Sequence, residues 1–206
     1  MEATPKTIRD YSPAQIRELV RCKYSEVALS PNSKYKFRVG CEYALDLGYL
    51  TPSIHPLPER MTEAFTGVSS FLSRFDDFTP ADVILELGSG GGLDTALLAK
   101  RLGASTKIIG VDLSLNMVQR AVRSLGELEL SHVYYTQAMA EELPVRDNSV
   151  DWVVSNGIFN LSPEKENILA EIHRVLKPKG HVLCSEIVLY QEPSSEERLN
   201  EDDWFK

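Results

Sequence analysis

Apolar and polar positions follow two different periods in the second part of the chain. From residue 81 onward, short and nearly continuous apolar runs are followed by segments whose apolar residues recur every three or four positions. The first pattern predicts buried strands, and the second predicts helices that pack on them. The predicted strands are 82–87, 107–112, 132–136, 150–155 and 181–189, and the predicted helices are 93–102, 115–125 and 163–176. This alternation predicts an α/β fold with a mostly parallel sheet and helices on both faces.

The first 80 residues have a different character. Ser12 precedes Pro13, and Gln15 follows three positions after the serine, which predicts a capped helix that runs to about Leu29. A further helix is predicted over 59–74, and the residues between the two helices are poorly periodic. The chain therefore divides into an N-terminal cap of helices and loops (1–80), an α/β domain (81–190) and an acidic tail or the start of a truncated C-terminal region (191–206).

Composition narrows the range of functions. Of the 206 residues, 43% are hydrophobic, which suffices for one domain with its own core. The net charge of −8 disfavours nucleic-acid binding, for which a basic surface is expected. The 3 cysteines and 4 histidines lack metal-ligand or disulfide spacing, so no metal site is predicted. Because no apolar run has the length of a membrane span and no signal peptide is recognisable, we expect a cytoplasmic protein without a membrane partner.

The strand 82–87 leads directly into a glycine-rich loop. This loop ends where the helix 93–102 begins, and it carries Gly88, Ser89, Gly90 and Gly92. Glycine lets the backbone turn tightly and lets a ligand come close, and the start of a helix offers N–H groups that lack a partner within the helix. A strand, a glycine loop and a helix in this order therefore predict a site for a nucleotide-type cofactor.

The spacing of the glycines leaves two cofactors open. A dinucleotide fingerprint requires a further glycine at position 93, where this chain has Leu93. Asp112 ends the next strand, about 20 residues after the loop, where a carboxylate can bind the ribose hydroxyls of either cofactor. The same carboxylate disfavours NADP, because it would repel the 2′-phosphate. An NAD-dependent oxidoreductase and an S-adenosylmethionine (SAM) binder both remain compatible with these residues.

Three further stretches favour the second cofactor. The segment 141–180 contains an acidic "ELP" loop, then a strand, a helix and the turn RVLKPKG. Together with LELGSGGG at 85–92 and VDLSLNM at 111–117, it resembles the class I SAM-dependent methyltransferases, in which these signatures follow in the same order. The resemblance implies a Rossmann-like fold whose sheet has seven strands, the last two forming a hairpin beside the fifth. Since only five strands are predicted here, the C-terminal strands of that fold are expected to be missing.

The resemblance extends to one branch of this family. The stretches VRCKYSEVA (20–28), VGCEYALDLGY (39–49), FTGVSSFLSRF (65–75) and SNGIFNLSPEKE (155–166) are similar to arsenite methyltransferases. Members of that branch bind trivalent arsenic through cysteine thiolates, two of which are expected within 65–70 and 155–160. Neither segment contains cysteine in this chain, and hydroxyls or carbonyls are poor ligands for soft As(III). The methyl acceptor is therefore expected to be a small molecule whose identity the sequence does not give.

The resemblance also implies a set of cofactor contacts. They lie at the carboxyl ends of predicted strands or in the loops that follow, at Glu86, Gly88, Ser89, Gly90, Gly92, Asp112, Leu113, Met117, Met139, Ala140 and Asn156. The glutamate would lie near the ammonium group of the methionine moiety, the glycines near methionine and ribose, and the aspartate at the ribose hydroxyls. Leu113 and Met117 would pack on the adenine, Met139 and Ala140 would hold its edge, and Asn156 would lie where donor and acceptor meet. No catalytic residue is predicted, because the cofactor itself carries the reactivity.

The sequence thus predicts a SAM-dependent methyltransferase that acts on a small molecule and releases S-adenosylhomocysteine (SAH). A SAM-binding protein with little or no transferase activity is the first alternative, since the acceptor cysteines are absent. An NAD-dependent oxidoreductase is the second. The strand 181–189 would present an apolar edge, which predicts either a chain shortened relative to its family or a homodimer that pairs through this strand. The segment 1–75 is expected to cover the cofactor as a lid.

Overall fold

The computed structural model describes residues 10–80, 82–188 and 190, and its centre is a five-stranded parallel sheet. The strand order is β3-β2-β1-β4-β5, and every pairing between neighbours is parallel. The strands are β1 (Val83–Leu87), β2 (Lys107–Asp112), β3 (Val133–Gln137), β4 (Val150–Asn156) and β5 (Leu176–Ser185). The predicted α/β class with a parallel sheet is therefore confirmed, and it is the arrangement of a Rossmann-like fold.

Helices cover both faces of this sheet. They are α1 (Pro13–Leu29), α2 (Cys41–Asp46), α3 (Thr51–Ile54), α4 (Glu59–Thr62), α5 (Leu93–Leu102), α6 (Leu115–Leu128) and α7 (Lys165–Val175). Successive residues of β1 point to opposite faces, where Ile84 packs with Leu98 of α5 and Leu85 packs with Ile168 of α7. All four side chains are almost completely buried, which explains why β1 consists of a continuous apolar run.

The start of α1 is the predicted capping box. Ser12 accepts a hydrogen bond from the backbone N–H of Gln15, whose side chain accepts one from the backbone N–H of Ser12. The helix α6 also begins with a serine cap, because Ser114 accepts a hydrogen bond from the N–H of Met117. The helix predicted over 163–176 starts two residues later than expected. That helix begins at Lys165 behind Glu164, and Ser162 accepts a hydrogen bond from the Glu164 N–H.

The helix predicted over 59–74 is wrong. Only a single turn forms at α4, and a 3-10 helix follows at Leu72–Asp77. Between them, the backbone N–H groups of Val68 and Ser69 donate to the side chain of Asn156 at the end of β4. A long-range contact therefore takes the donors that a continuous helix would have used.

The cap and the sheet domain are joined by Arg120 of α6. Its guanidinium donates to the carbonyl oxygens of Ala28 and Arg60 and forms an ion pair with Glu63, so it binds three cap segments at once. The Arg120 side chain is only 12% exposed, which makes these contacts strong relative to surface ion pairs. The predicted boundary at residue 80 is thus crossed by buried polar contacts.

The sheet ends at β3 on one side and at β5 on the other. β5 starts at Leu176 rather than at the predicted residue 181, so it follows α7 without a loop. Its pairing with β4 contains a register shift between Val150 and Trp152. Within the described ranges, β5 pairs with β4 only, and its outer edge is open. None of the described helices has the length and apolar character needed to cross a membrane.

Candidate functional site

A cavity opens at the carboxyl ends of β1, β2 and β4, next to the glycine loop. Ligands of open parallel sheets bind at this edge, where the strand order reverses between β1 and β4. Seven of the residues that the sequence predicts to bind the cofactor line the cavity: Gly88, Gly90, Asp112, Leu113, Met139, Ala140 and Asn156. The structure thus brings residues from four separate loops to one site.

The glycine loop has a left-handed backbone at Gly88, Gly90 and Gly92. A Cβ atom added at Gly88 would lie 2.1 Å from Ile158, and one added at Gly92 would lie 2.4 Å from the Tyr135 hydroxyl. At Gly90 the added atom would meet nothing within 4 Å. The outer two glycines are therefore required by packing, whereas Gly90 leaves open space in which a ligand can approach the backbone.

Asp112 is a buried carboxylate in the wall of the cavity. One carboxylate oxygen accepts a hydrogen bond from the N–H of Gly90 at 2.9 Å, and the other accepts one from the N–H of Ser114 at 2.8 Å. Burial raises the pKa of Asp112 to about 6, although these two hydrogen bonds oppose the rise. Each oxygen keeps a free lone pair, so the carboxylate can accept two further hydrogen bonds from a ligand.

The wall beyond Asp112 is mostly apolar. Leu113, Ala138, Met139 and Ala140 line it, and the N–H of Glu142 closes a tight turn on the carbonyl of Met139. Because this wall adjoins the carboxylate, a ligand with a flat apolar group beside paired hydroxyls matches the site.

The other four predicted residues do not line the cavity. Met117 is fully buried against Val27, Ala28 and Ala64, because the first turn of α6 faces the N-terminal cap. Gly92 starts α5 beneath the loop, and the hydroxyl of Ser89 is buried without a hydrogen-bond partner among the described residues. Their contact with a cofactor stays a prediction, as it does for Glu86.

Glu86 lies beneath the glycine loop in a buried acidic cluster. It is 2% exposed and accepts a hydrogen bond from Thr95. Burial and the neighbouring charge of Asp94 raise the pKa of Glu86 well above its usual range, and the hydrogen bond from Thr95 acts in the opposite direction. Burial and the nearby Asp94 carboxylate therefore both disfavour the charged form of Glu86.

Asn156 forms a polar clamp with residues that the sequence did not single out. Its side-chain oxygen accepts hydrogen bonds from the N–H groups of Val68 and Ser69, at 2.8 and 3.2 Å. Its amide nitrogen donates to the Ser69 carbonyl at 2.8 Å, to the Asp94 carboxylate at 2.9 Å and to the Tyr49 hydroxyl at 3.3 Å. Asn156 thus fastens the cap segment 66–70 to the end of β4.

Asp94 completes this clamp from the first turn of α5. Its carboxylate accepts hydrogen bonds from Tyr49 at 2.5 Å and from Asn156. Burial raises the pKa of Asp94 to about 6, although these two hydrogen bonds act in the opposite direction. An acidic residue within the otherwise apolar start of LDTALLAK is a sequence signal that could have identified it.

The helix α1 forms the roof of the cavity. Arg17, Val20, Arg21 and Tyr24 line this side, and Arg17 forms an ion pair with Glu164. The predicted covering role of the N-terminal segment agrees with this placement, although none of these side chains was predicted to line the site. The four residues are spaced at helical intervals in α1, and this spacing could have indicated from the sequence that they share one face of the helix.

The comparison with known families decides between the cofactors. A family model described as "Methyltransferase domain" matches residues 78–205, which includes the whole glycine loop and all five strands. The chain belongs to the methyltransferase domain family. An arsenite methyltransferase of Halobacterium salinarum is 30% identical to this methyltransferase-family chain over 194 residues, which are 88% of the chain and 49% of that protein. The chain therefore spans about half the length of this relative.

Solved structures agree with the family. Phosphoethanolamine N-methyltransferase 2 of Haemonchus contortus, in complex with S-adenosyl-L-methionine, has a TM-score of 0.52 and 29% identity over 55% of this chain and 26% of that one. A SAM-dependent methyltransferase from Aquifex aeolicus has a TM-score of 0.53 and 20% identity, over 91% of this chain and 80% of that one. The second likeness concerns the fold alone. The expected membership of the class I SAM-dependent methyltransferases is confirmed, and these relatives give no support to an NAD-dependent oxidoreductase.

The residues of this methyltransferase cavity fit SAM. Gly90 leaves space in which a ligand can come close to the backbone. Asp112 keeps two acceptor positions for ribose hydroxyls, and Leu113 and Met139 offer an apolar surface for adenine. Among residues 10–80, 82–188 and 190, no group of acidic, histidine or cysteine side chains could hold a metal ion. None of the 3 cysteines lines the cavity.

We expect Gly90→Ala to weaken SAH binding at least about tenfold, because a methyl group would enter the space left for the ligand. Gly103→Ala is the matched control, since Gly103 also has a left-handed backbone and open space but lies at the end of α5, away from the cavity. Both changes should lower the free energy of unfolding by about 1 kcal/mol. Calorimetry with SAH and urea unfolding measure the two effects, and equal affinities for the two variants would contradict the assignment of Gly90.

Proposed function

We propose that the protein binds SAM in this cavity and transfers its methyl group to a small molecule. The observation that carries the proposal is the pairing of Asp112 with the open backbone at Gly90, at the carboxyl edge of a methyltransferase-family sheet. Bound SAM supplies an electrophilic methyl group, so the protein has mainly to align donor and acceptor and to keep water away.

The residues of the chain suit this task of alignment. Asp112 fixes the position of Gly90 through a direct hydrogen bond and would fix the ribose through its remaining lone pairs. The helix α1 covers the cavity, and its Arg17 is joined to Glu164 on the opposite rim, which limits the access of water. Asn156 holds the segment 66–70 against the strand end at which the acceptor would enter.

The acceptor is proposed to be a small molecule other than arsenite. The segment 155–160, in which the resemblance to arsenite methyltransferases implies a cysteine, contains none, and the backbone of its Gly157 is left-handed. A Cβ atom added there would lie 2.9 Å from Val68, so a side chain at this position would crowd Val68. We expect little or no turnover of arsenite with glutathione when transfer of a labelled methyl group is followed.

The proposal also covers the cellular location of the protein and its assembly into a homodimer. The acidic net charge and the lack of a disulfide spacing support a cytoplasmic protein without a nucleic-acid partner. The open outer edge of β5 supports a homodimer that pairs through this strand. Sedimentation that gives the mass of a single chain at every concentration would rule out the homodimer.

Calorimetry with SAM, SAH and NADH tests the proposed function directly. Binding of SAM and SAH without binding of NADH is the expected result. Binding of NADH alone would refute the proposal. A chain that binds SAM but transfers no methyl group to any acceptor in a metabolite extract would instead be a SAM-binding protein.

The affinity for SAH should depend on pH through Asp112. Below its pKa of about 6 the carboxyl is protonated and loses acceptor positions, so binding of SAH favours the ionised form. The dissociation constant should therefore fall about tenfold between pH 5 and pH 7. Calorimetry at three pH values measures this change. Asp94 titrates in the same range. The pH dependence of SAH binding in Asp112→Asn distinguishes the two carboxyls, because only the part that Asp112 causes disappears in that variant.

A further inference from the structure

Tyr24 presents an aromatic ring to the cavity from the helix α1. It is half-buried and lines the cavity, so part of its surface remains accessible to a ligand. Phe37 stacks on this ring with a distance of 6.1 Å between the two centroids, and Tyr35 stacks on Phe37 at 5.5 Å. The stack therefore holds the Tyr24 ring from the side of the cap and leaves the rest of the ring to the cavity.

Tyr24 has neighbours at both functional ends of the cavity. Thr66, which also lines the cavity, forms a hydrogen bond with the phenol. Directly after Thr66, a Cβ atom added at Gly67 would lie 2.6 Å from the amide nitrogen of Asn156. Asp112, to which the ribose is assigned, lines the same cavity from the sheet. Tyr24 thus faces the space between the ribose and the strand end at which the acceptor would enter.

The phenol of Tyr24 stays protonated. Burial raises its pKa and the charge of Asp112 raises it further, although the hydrogen bond with Thr66 acts in the opposite direction. A neutral phenol offers no ionic partner to a cation. The face of its ring is electron-rich, however, and attracts a cation that lies within about 6 Å of the centroid.

The charges that line the cavity also favour a cationic ligand. The two arginines of the roof have acidic partners, since Arg17 pairs with Glu164 and Arg21 pairs with Glu18. Asp112 accepts its hydrogen bonds from backbone N–H groups and forms no ion pair with any residue of the described ranges. A positively charged ligand would balance this carboxylate, whereas a neutral ligand would leave its charge unbalanced.

SAM and SAH differ in charge at one atom. The sulfur of SAM carries the transferable methyl group and is a cationic sulfonium, whereas the sulfur of SAH is a neutral thioether. In both molecules the sulfur is bonded to the carbon that joins it to the ribose ring. A ribose held at Asp112 therefore brings the sulfur into the part of the cavity that Tyr24 lines.

We propose that the ring of Tyr24 binds the sulfonium of SAM through a cation–π contact and thereby distinguishes the methyl donor from the SAH product. The proposal rests on the function proposed above and adds a residue that determines its preference for the charged cofactor. When the methyl group leaves, the electron pair of the broken S–C bond stays on the sulfur, which becomes neutral. The contact is then lost, and this loss favours release of SAH.

Tyr24→Leu should weaken binding of SAM about tenfold and binding of SAH less than about threefold, because leucine fills part of the same space without a ring face. Sinefungin, a SAM analogue whose positive charge lies on an amine in place of the sulfonium, should lose affinity as SAM does. Tyr24→Phe keeps the ring and should bind SAM within about threefold of the wild type. Calorimetry with the three ligands measures these affinities.

Tyr35→Leu is the matched control, because it removes an aromatic ring from the same stack but Tyr35 does not line the cavity. It should change the ratio of the SAM and SAH affinities less than about twofold.

Replacement of Tyr24 by trifluorophenylalanine gives a second test, which preserves the shape of the ring and therefore the fold. The fluorines withdraw electron density from the ring face, so SAM should bind about fivefold more weakly than it binds to Tyr24→Phe. Binding of SAH should be the same in both proteins, because a neutral thioether does not depend on this electron density.

Three results would overturn the proposal while leaving SAM binding intact. They are equal losses of SAM and SAH affinity in Tyr24→Leu, a loss in Tyr24→Phe as large as in Tyr24→Leu, and a SAM affinity that fluorination leaves unchanged. If urea unfolding shows that Tyr24→Leu does not remain folded, the fluorinated protein decides alone. A wild-type protein that binds neither SAM nor SAH would refute the proposed function itself, so the two failures are distinguishable.

Discussion

Replacement of Asp112 by asparagine is expected to weaken SAH binding about a hundredfold, which corresponds to about 3 kcal/mol. The carboxylate has an acceptor position for each of two ligand hydroxyls, beyond the hydrogen bonds that it already accepts from Gly90 and Ser114. The amide keeps only one oxygen, loses the charge and directs its N–H₂ group at one of these two backbone donors. Calorimetry with SAH measures the loss.

The control for this variant is Asp147→Asn. Asp147 is exposed, forms an ion pair with Arg174 and does not line the cavity, so its replacement should leave the affinity within about twofold. If Asp112→Asn also kept its affinity within that range, Asp112 would not be the ribose-binding residue. Unfolding curves of both variants show whether the protein remains folded at the temperature of the titration.

Replacement of Asn156 by alanine should lower the free energy of unfolding by about 3–4 kcal/mol. The change removes every partner that Asn156 provides at once, and it leaves the N–H groups of Val68 and Ser69 and one oxygen of Asp94 without their bonds. Since Asp94 is buried and the N–H groups of Val68 and Ser69 are partly buried, water replaces the lost partners poorly. Urea unfolding measures the loss of stability.

Asn160→Ala provides the comparison within the same loop. Asn160 is exposed and its described side-chain bond goes to the carbonyl of Ile187, so a loss of no more than about 1 kcal/mol is expected. A loss for Asn156→Ala that is no larger than this would show that the cap segment 66–70 is held by other contacts.

The parts that the sequence predicts well depend on local patterns. The five strands follow from continuous apolar runs, and the glycine loop with Asp112 follows from the order of a strand, a turn and a helix. The capping box at Ser12 is equally local, because all its atoms lie within four residues. Each of these features is determined by neighbours along the chain, which is why it is visible without a structure.

The parts that the sequence misses depend on contacts between distant residues. The helix expected over 59–74 gives way to a segment whose N–H groups bind Asn156, almost 90 residues later. Large separations along the chain also hide the role of Asp94, which becomes apparent only when Tyr49 and the end of β4 are placed beside it. The burial of Met117 against α1 is another contact that helical spacing alone does not reveal.

The contacts of Arg120 imply that the cap and the sheet domain form one cooperative folding unit. A fragment that starts near residue 78, where the match to the family model begins, would retain this guanidinium but lose Ala28, Arg60 and Glu63, the three residues that it binds. It would also uncover Met117, which the cap buries completely. Both changes raise the free energy of the native state, because a poorly paired cation and a bare apolar surface remain. Excision at the family boundary would therefore yield an aggregation-prone polypeptide rather than a minimal enzyme.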